Sequence, residues 1–132
     1  MTELTQEQFY ARKHWEKHLL KAGDVVWANL NDKVRPVVIA QNAHTTFRSD
    51  MIMVIPLTRS EAKVADNVHP VLPEGVLEKG APSALLTEQL QPVAKVDIST
   101  DLSDYTSGEK YDYKNTLFPA VKQSLLSLIL PD

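Results

Sequence analysis

Two short stretches, Val37-Val38-Ile39-Ala40 and Met51-Ile52-Met53-Val54-Ile55, are apolar at every position. Successive side chains of a strand point to opposite faces, so a strand without a polar face must be covered on both sides. A small barrel of about five strands satisfies one side by turning it inward, where one set of side chains fills the interior. The outer set then needs a helix or a second subunit, and that requirement governs how the rest of the 132-residue chain can be used.

Segments rich in β-branched residues predict strands over Asp24–Leu30, Arg35–Gln41, Met51–Leu57, Val68–Leu72, Ala84–Gln89 and Val93–Ile98. Asn31-Asp32-Lys33 is short enough for a hairpin turn that makes the first two antiparallel. Pro36 fits a strand start or edge, where its missing N–H costs no ladder bond. Leu4, Ala11, Trp15, Leu19 and Ala22 fall near one face of a helix over Thr5–Lys21, which Gly23 would stop. A second helix is expected over Thr116–Leu130, with a stripe of Leu117, Val121, Leu125 and Leu128 widened by Phe118 and Ile129, and Pro119 in its first turn. Ala43–Asp50 and the acidic stretch Asp97–Asn115 read as loops. The expected class is mainly β with helices (α+β), organised as an N-terminal helical extension, residues 1–22, and a barrel domain, residues 23–132.

Composition removes several functions. The chain has no cysteine, which excludes disulfides, zinc–thiolate sites and thiol nucleophiles. Met1–Gln8 is acidic and polar where a signal peptide would be basic and then apolar, and no apolar run approaches the ~20 residues that span a bilayer. A cytoplasmic protein without membrane attachment is expected. A net charge of -3 argues against a polycation that coats nucleic acid, so any phosphate site must be local. Four glycines, at 23, 75, 80 and 108, form no phosphate-cradling loop. His14 and His18 are one helical turn apart but lack a third ligand and stand beside Lys13 and Lys17, so they read as a solvated face and no metal site is expected.

What remains is polar residues at predicted strand ends: Arg35 opening the second strand, Thr58 and Arg59 after the third, Glu88-Gln89 ending the fifth. Taken alone, these are turn formers. The ordered blocks Gly23-Asp24-Val25-Val26-Trp27, Arg35-Pro36-Val37-Val38-Ile39 with Gln41-Asn42, Val54-Ile55-Pro56-Leu57-Thr58 and Ser83-Ala84-Leu85-Leu86-Thr87-Glu88-Gln89 resemble the MazF/PemK family of toxin endoribonucleases. The resemblance spans about Gly23 to Val96 and implies a small SH3-like β-barrel of the MazF/PemK/CcdB type. It also implies a homodimer, metal-free cleavage of single-stranded RNA with no cofactor, and a cognate antitoxin that covers the RNA site. Arg35 and Thr58 take the positions of the family's catalytic arginine and threonine; Glu88 and Gln89 match its acidic-Gln pair at the RNA groove.

Those roles suit the residues. Metal-free cleavage proceeds by attack of the 2′-hydroxyl on the adjacent phosphorus, and charge builds on the phosphoryl oxygens. A guanidinium offers those oxygens a planar fork of donors at any relevant pH, and a threonine hydroxyl adds a further donor. The general base is open among His44, Asp32 and Glu88. Trp27 reads either as a base-stacking platform or as a core residue. Lys33, Arg48, Arg59 and Lys63 are the candidates for local positive charge, while His69, ahead of Pro70 in an apolar segment, reads as structural. One departure stands out: the family commonly has a longer, Gly-rich loop between its first two strands, where only Asn31-Asp32-Lys33-Val34 separates Leu30 from Arg35 here. A short first loop and an acidic balance motivate the alternative, a non-catalytic barrel that acts by binding protein, as the related gyrase-poisoning toxins do.

Overall fold

In the computed structural model, which describes residues 20–77, 82–99 and 105–131, strand β1 (Val25–Leu30) passes into β2 (Lys33–Ile39) through Asn31 and Asp32 alone. Their φ values of 51° and 67° are the paired left-handed conformations of a type I′ turn, whose twist matches the strands it joins. Asn and Asp enter that region at less cost than other side chains. The hairpin ladder runs from Leu30 opposite Lys33 to Val25 opposite Val38.

β3 (Met51–Thr58) lies antiparallel to β2, with Val37 opposite Pro56 and Ile39 opposite Val54. Pro36 sits where β2 is not yet laddered to β3, the edge position its missing N–H requires. The first half of β3 pairs with β6 (Gln91–Ala94) and its end with β5 (Ser83–Leu85), which pairs in turn with the two-residue β4 (Val71–Leu72). The order is β1-β2-β3-β5-β4, with β6 beside β3. An isolated bridge between Ala28 and Ile98, with the Ser99 N–H donating to the Trp27 carbonyl at 2.8 Å, brings the chain after β6 back to β1. The sheet therefore curls almost onto itself without closing its ladder.

The apolar strands are covered on both faces, as the sequence requires. Val26, Ala28, Leu30, Val37, Ile39, Ile52, Val54, Val93 and Ile98 form the inner core, joined by Leu20. Val25, Val38, Ile55, Leu57, Leu72 and Leu85 form the outer one. Helix α3 (Tyr113–Thr116) and α4 (Phe118–Ile129) cover the outer core with Tyr113, Leu117 and Val121. Thus the helix expected over Thr116–Leu130 is present from Phe118, with Pro119 in its first turn and a separate short helix ahead of it.

Several strands are shorter than sequence suggests, each for a local reason. In the segment expected as strand Val68–Leu72, the Asp66 carboxylate accepts from the Val68 and His69 N–H groups, so pairing begins only at Val71. The strand expected over Ala84–Gln89 ends at Leu85 and gives way to a 3-10 turn, Thr87–Gln89. That expected over Val93–Ile98 begins earlier, at Gln91, and ends in the 3-10 turn Lys95–Asp97. The loop expected over Ala43–Asp50 contains helix α1 (Ala43–Arg48), capped by Asn42, whose Oδ1 accepts from the Thr45 N–H at 2.9 Å. Helix α2 (Glu61–Ala65) follows β3. The stretch read as a loop before Asn115 holds a 3-10 turn, Gly108–Tyr111. The helix expected over Thr5–Lys21, with His14 and His18, lies outside the described residues except for Leu20 and Lys21. No described helix is long and apolar enough to cross a membrane.

Candidate functional site

Arg35 stands two residues before Val37 and Thr58 two residues after Pro56, so the β2–β3 register, continued by one step of each face, sets them opposite one another. Alternation places both on the face of Val37, Ile39 and Val54, at the mouth of the inner core. Both are half-buried. Among the described residues the Arg35 guanidinium has no hydrogen bond or ion pair. A half-buried cation with no anion beside it among the described residues is poised for an external one. The Thr58 hydroxyl oxygen accepts from the Ser60 N–H at 3.2 Å, which fixes the oxygen and leaves its own proton to donate elsewhere.

The row continues into β5 and β4, because Thr58 pairs with Ala84 and Ala84 with Val71. One step further along the same face lie Leu86 and His69: the Leu86 N–H donates to Pro56 and the Leu85 N–H to Pro70. His69 therefore shares the face of Arg35 and Thr58. Its imidazole, with a side chain only 8% exposed, lies between two carboxylates: Nδ1 is 2.6 Å from Asp66 Oδ2, and Nε2 is 2.9 Å from Glu88 Oε2. A neutral imidazole has one N–H and can donate to only one of them, so both contacts together call for the imidazolium. Desolvation pulls the His69 pKa down, but the hydrogen bonds and charges of Asp66 and Glu88 outweigh it and leave it above the ordinary 6.5. Asp66, whose carboxylate accepts from the His69 and Val68 backbone N–H groups, is lowered to about 2.

The other residues expected at the site divide. Asp32 and Lys33 are exposed at the hairpin tip, with Lys33 on the Arg35 face. Arg59 is exposed beyond Thr58 and already interacts within the chain. Glu88 and Gln89 are exposed on the 3-10 turn after β5, Glu88 held by His69. Trp27, opposite Pro36, alternates onto the face away from Arg35 and is half-buried there. His44 is exposed on α1, past the other end of β2 and roughly 13 Å of strand from Arg35. Sequence reasoning missed the Asp66–His69 pairing. The available signal was an aspartate three residues before a histidine, followed by a proline that ends local helix formation.

Glu88 also borders an apolar cavity of about 500 Å³ with Leu90, Phe118, Leu125 and Ile129. Phe118, Leu126, Leu128 and Ile129 leave α4 with an exposed apolar side. Among the described residues no group of three His, Asp or Glu side chains is arranged to hold a metal ion.

No curated protein sequence matches the chain significantly. Solved structures match its fold: MazF in a MazE–MazF crystal structure from Deinococcus radiodurans has a TM-score of 0.61 at 16% identity, covering 86% of this chain and 98% of that one. Mycobacterium tuberculosis toxin MazF-mt6 has a TM-score of 0.60 at 18% identity, covering 78% and 92%. An endoribonuclease in complex with its cognate antitoxin, from a mycobacterial species, has a TM-score of 0.60 at 15% identity, covering 85% and 99%. The family model of PemK-like, MazF-like toxins of type II toxin-antitoxin systems matches residues 21–115, a stretch that holds β1 through β6 together with Arg35, Thr58 and Glu88, and the chain belongs to that family.

Proposed function

We propose that this toxin is a sequence-selective endoribonuclease that cuts single-stranded RNA in the cytoplasm without a metal. The 2′-oxygen bonds to phosphorus as its proton departs, and the bond from phosphorus to the 5′-oxygen breaks as that oxygen gains a proton. The products are a 2′,3′-cyclic phosphate and a 5′-hydroxyl. Arg35 stabilises the charge that develops on the phosphoryl oxygens, and Thr58 donates to the same oxygens or orients the attacking group. Lys33 and Arg59 add local positive charge along the RNA path, and Glu88 and Gln89 contact the RNA in the groove.

The observation that carries this reading is the half-buried Arg35 guanidinium, without a partner among the described residues, in register with Thr58 on one sheet face. Purified protein with mixed-sequence RNA in EDTA is expected to give defined fragments with cyclic phosphate ends, which Arg35→Ala abolishes. Intact RNA across a wide range of sequences, from protein shown to be folded, would overturn it.

The active form is proposed to be a homodimer that a cognate antitoxin neutralises. The exposed apolar side of α4 supports a partner surface of this kind. Light scattering at micromolar concentration should find twice 14.8 kDa; a 14.8 kDa particle alone contradicts the dimer.

A further inference from the structure

We propose that His69 is a positioning residue of the RNA groove: anchored by Asp66, its imidazolium holds the Glu88 carboxylate in place and offsets that carboxylate's charge where the nucleic acid passes. The inference rests on the ribonuclease reading and adds to it a residue that touches no reacting atom.

Three observations meet here. His69 lies on the same sheet face as Arg35 and Thr58, by the pairing of Pro70 with Leu85 and of Pro56 with Leu86. Its ring is buried, yet both nitrogens are committed, to Asp66 at 2.6 Å and to Glu88 at 2.9 and 3.1 Å. Asp66 is in turn fixed by the backbone N–H groups of Val68 at 2.9 Å and His69 at 3.1 Å. A chain of this kind, backbone to carboxylate to imidazolium to carboxylate, transmits rigidity from the segment before β4 to an exposed glutamate on another segment. Among the described residues, Asp66 and Glu88 are the charged groups that face the ring. With His69 protonated, the three side chains carry a net charge of one negative unit; with it neutral they carry two, and the tautomer that keeps its proton on Nδ1, at the nearer carboxylate of Asp66, turns an Nε2 lone pair toward Glu88. The neutral form thus both frees Glu88 and places more negative charge beside a polyanion.

The test pairs kinetics with a spectroscopic readout on the full chain. A short single-stranded RNA is cleaved by wild type, His69→Gln, Glu88→Gln and the double variant from pH 6 to pH 9, and a non-cleavable 2′-O-methyl version of it measures binding. The wild-type KM is expected to rise with pH through the titration of His69, and His69→Gln is expected to flatten that rise and lift KM about tenfold at pH 6, with kcat changing less than about threefold. In the Glu88→Gln background, the His69 substitution should change KM no further. By nitrogen-15 NMR the His69 ring should carry protons on both nitrogens at pH 6, and its midpoint should fall in Glu88→Gln. Additive effects of the two substitutions on KM, or a His69 midpoint unmoved by Glu88→Gln, overturn the inference while the nuclease reading stands. Failure of wild type to bind and cleave any RNA overturns the nuclease reading, and the inference with it.

Discussion

Asp24 accepts a hydrogen bond from the Gly108 backbone N–H at 2.9 Å, tying the start of β1 to a turn 84 residues later. The carboxylate is fully buried and also accepts from the Lys21 N–H at 3.1 Å and the Tyr105 hydroxyl at 3.3 Å, with Lys21 Nζ 3.6 Å away. Removing it leaves those donors unpaired inside the fold. Asp24→Ala is expected to cost about 3 kcal/mol, and Asp24→Asn about 2 kcal/mol because an amide presents one N–H₂ where only acceptors serve. Urea unfolding of the pair measures both values.

Beside it, Gly23 has φ +96°, and a Cβ there would overlap the ring of Tyr113. The Tyr111 hydroxyl donates to the Gly23 carbonyl at 2.5 Å, so the backbone cannot shift away freely. Gly23→Ala is expected to lower stability by at least about 3 kcal/mol, from strain and overpacking together, and thermal unfolding shows it.

Arg35→Lys keeps the charge and loses the planar fork. Because the guanidinium has no partner among the described residues, melting temperature should stay within a degree or two, about the scale of ordinary surface substitutions. Cleavage should fall about 10²-fold or more, the size of effect seen when one oxyanion donor is removed. A rate near wild type would show that only the charge matters.

The Asp66–His69–Glu88 chain gives the segment before β4 a pH window. His69 is raised in the folded state, so its contribution is fully present below the ordinary 6.5 and is lost as pH rises through the raised value. Asp66 is lowered from 3.8 to about 2, so its contribution is present above 3.8 and is lost as pH falls toward about 2. Amide exchange of Val68 and His69, whose N–H groups bond Asp66, should therefore be slowest between about pH 4 and pH 6.5 after correction for intrinsic rates. His69→Gln should remove the upper limit and keep the lower one.

At the hairpin tip, Asp32 holds φ 67° with a side chain that disfavours it. Asp32→Gly creates the Asn-Gly pair preferred in type I′ turns and is expected to raise stability by about 0.5 kcal/mol, after the greater freedom of glycine in the unfolded chain is offset. Comparing its cleavage rate with wild type also measures whether the Asp32 carboxylate takes part in the reaction.

Periodicity and turn chemistry made much of the fold readable. The doubly apolar runs at Val37 and Met51 demanded two cores, and both are present; Asn31-Asp32 announced a tight hairpin; Pro119 marked the first turn of the last helix. Strand lengths were less readable because they were set by side chains reaching back to the backbone, as Asp66 does before β4 and Asn42 does at the head of α1. Arg35 and Thr58 stood out through family likeness, and the register sets them opposite one another. His69 did not, since its role depends on a glutamate 19 residues away that only folding brings to it. Trp27 and His44 were drawn toward the site by residue type, and strand alternation and helix α1 carry them elsewhere.

A hairpin that reverses direction in just two residues has no slack to drape over the groove beside it. Under the proposed chemistry, dryness around the reacting phosphate cannot come from this stretch of backbone folding down like a flap. Water is then shut out from above by something other than this turn, and where the bases of the cut strand do so, turnover is tied to how well each sequence roofs its own cleavage point.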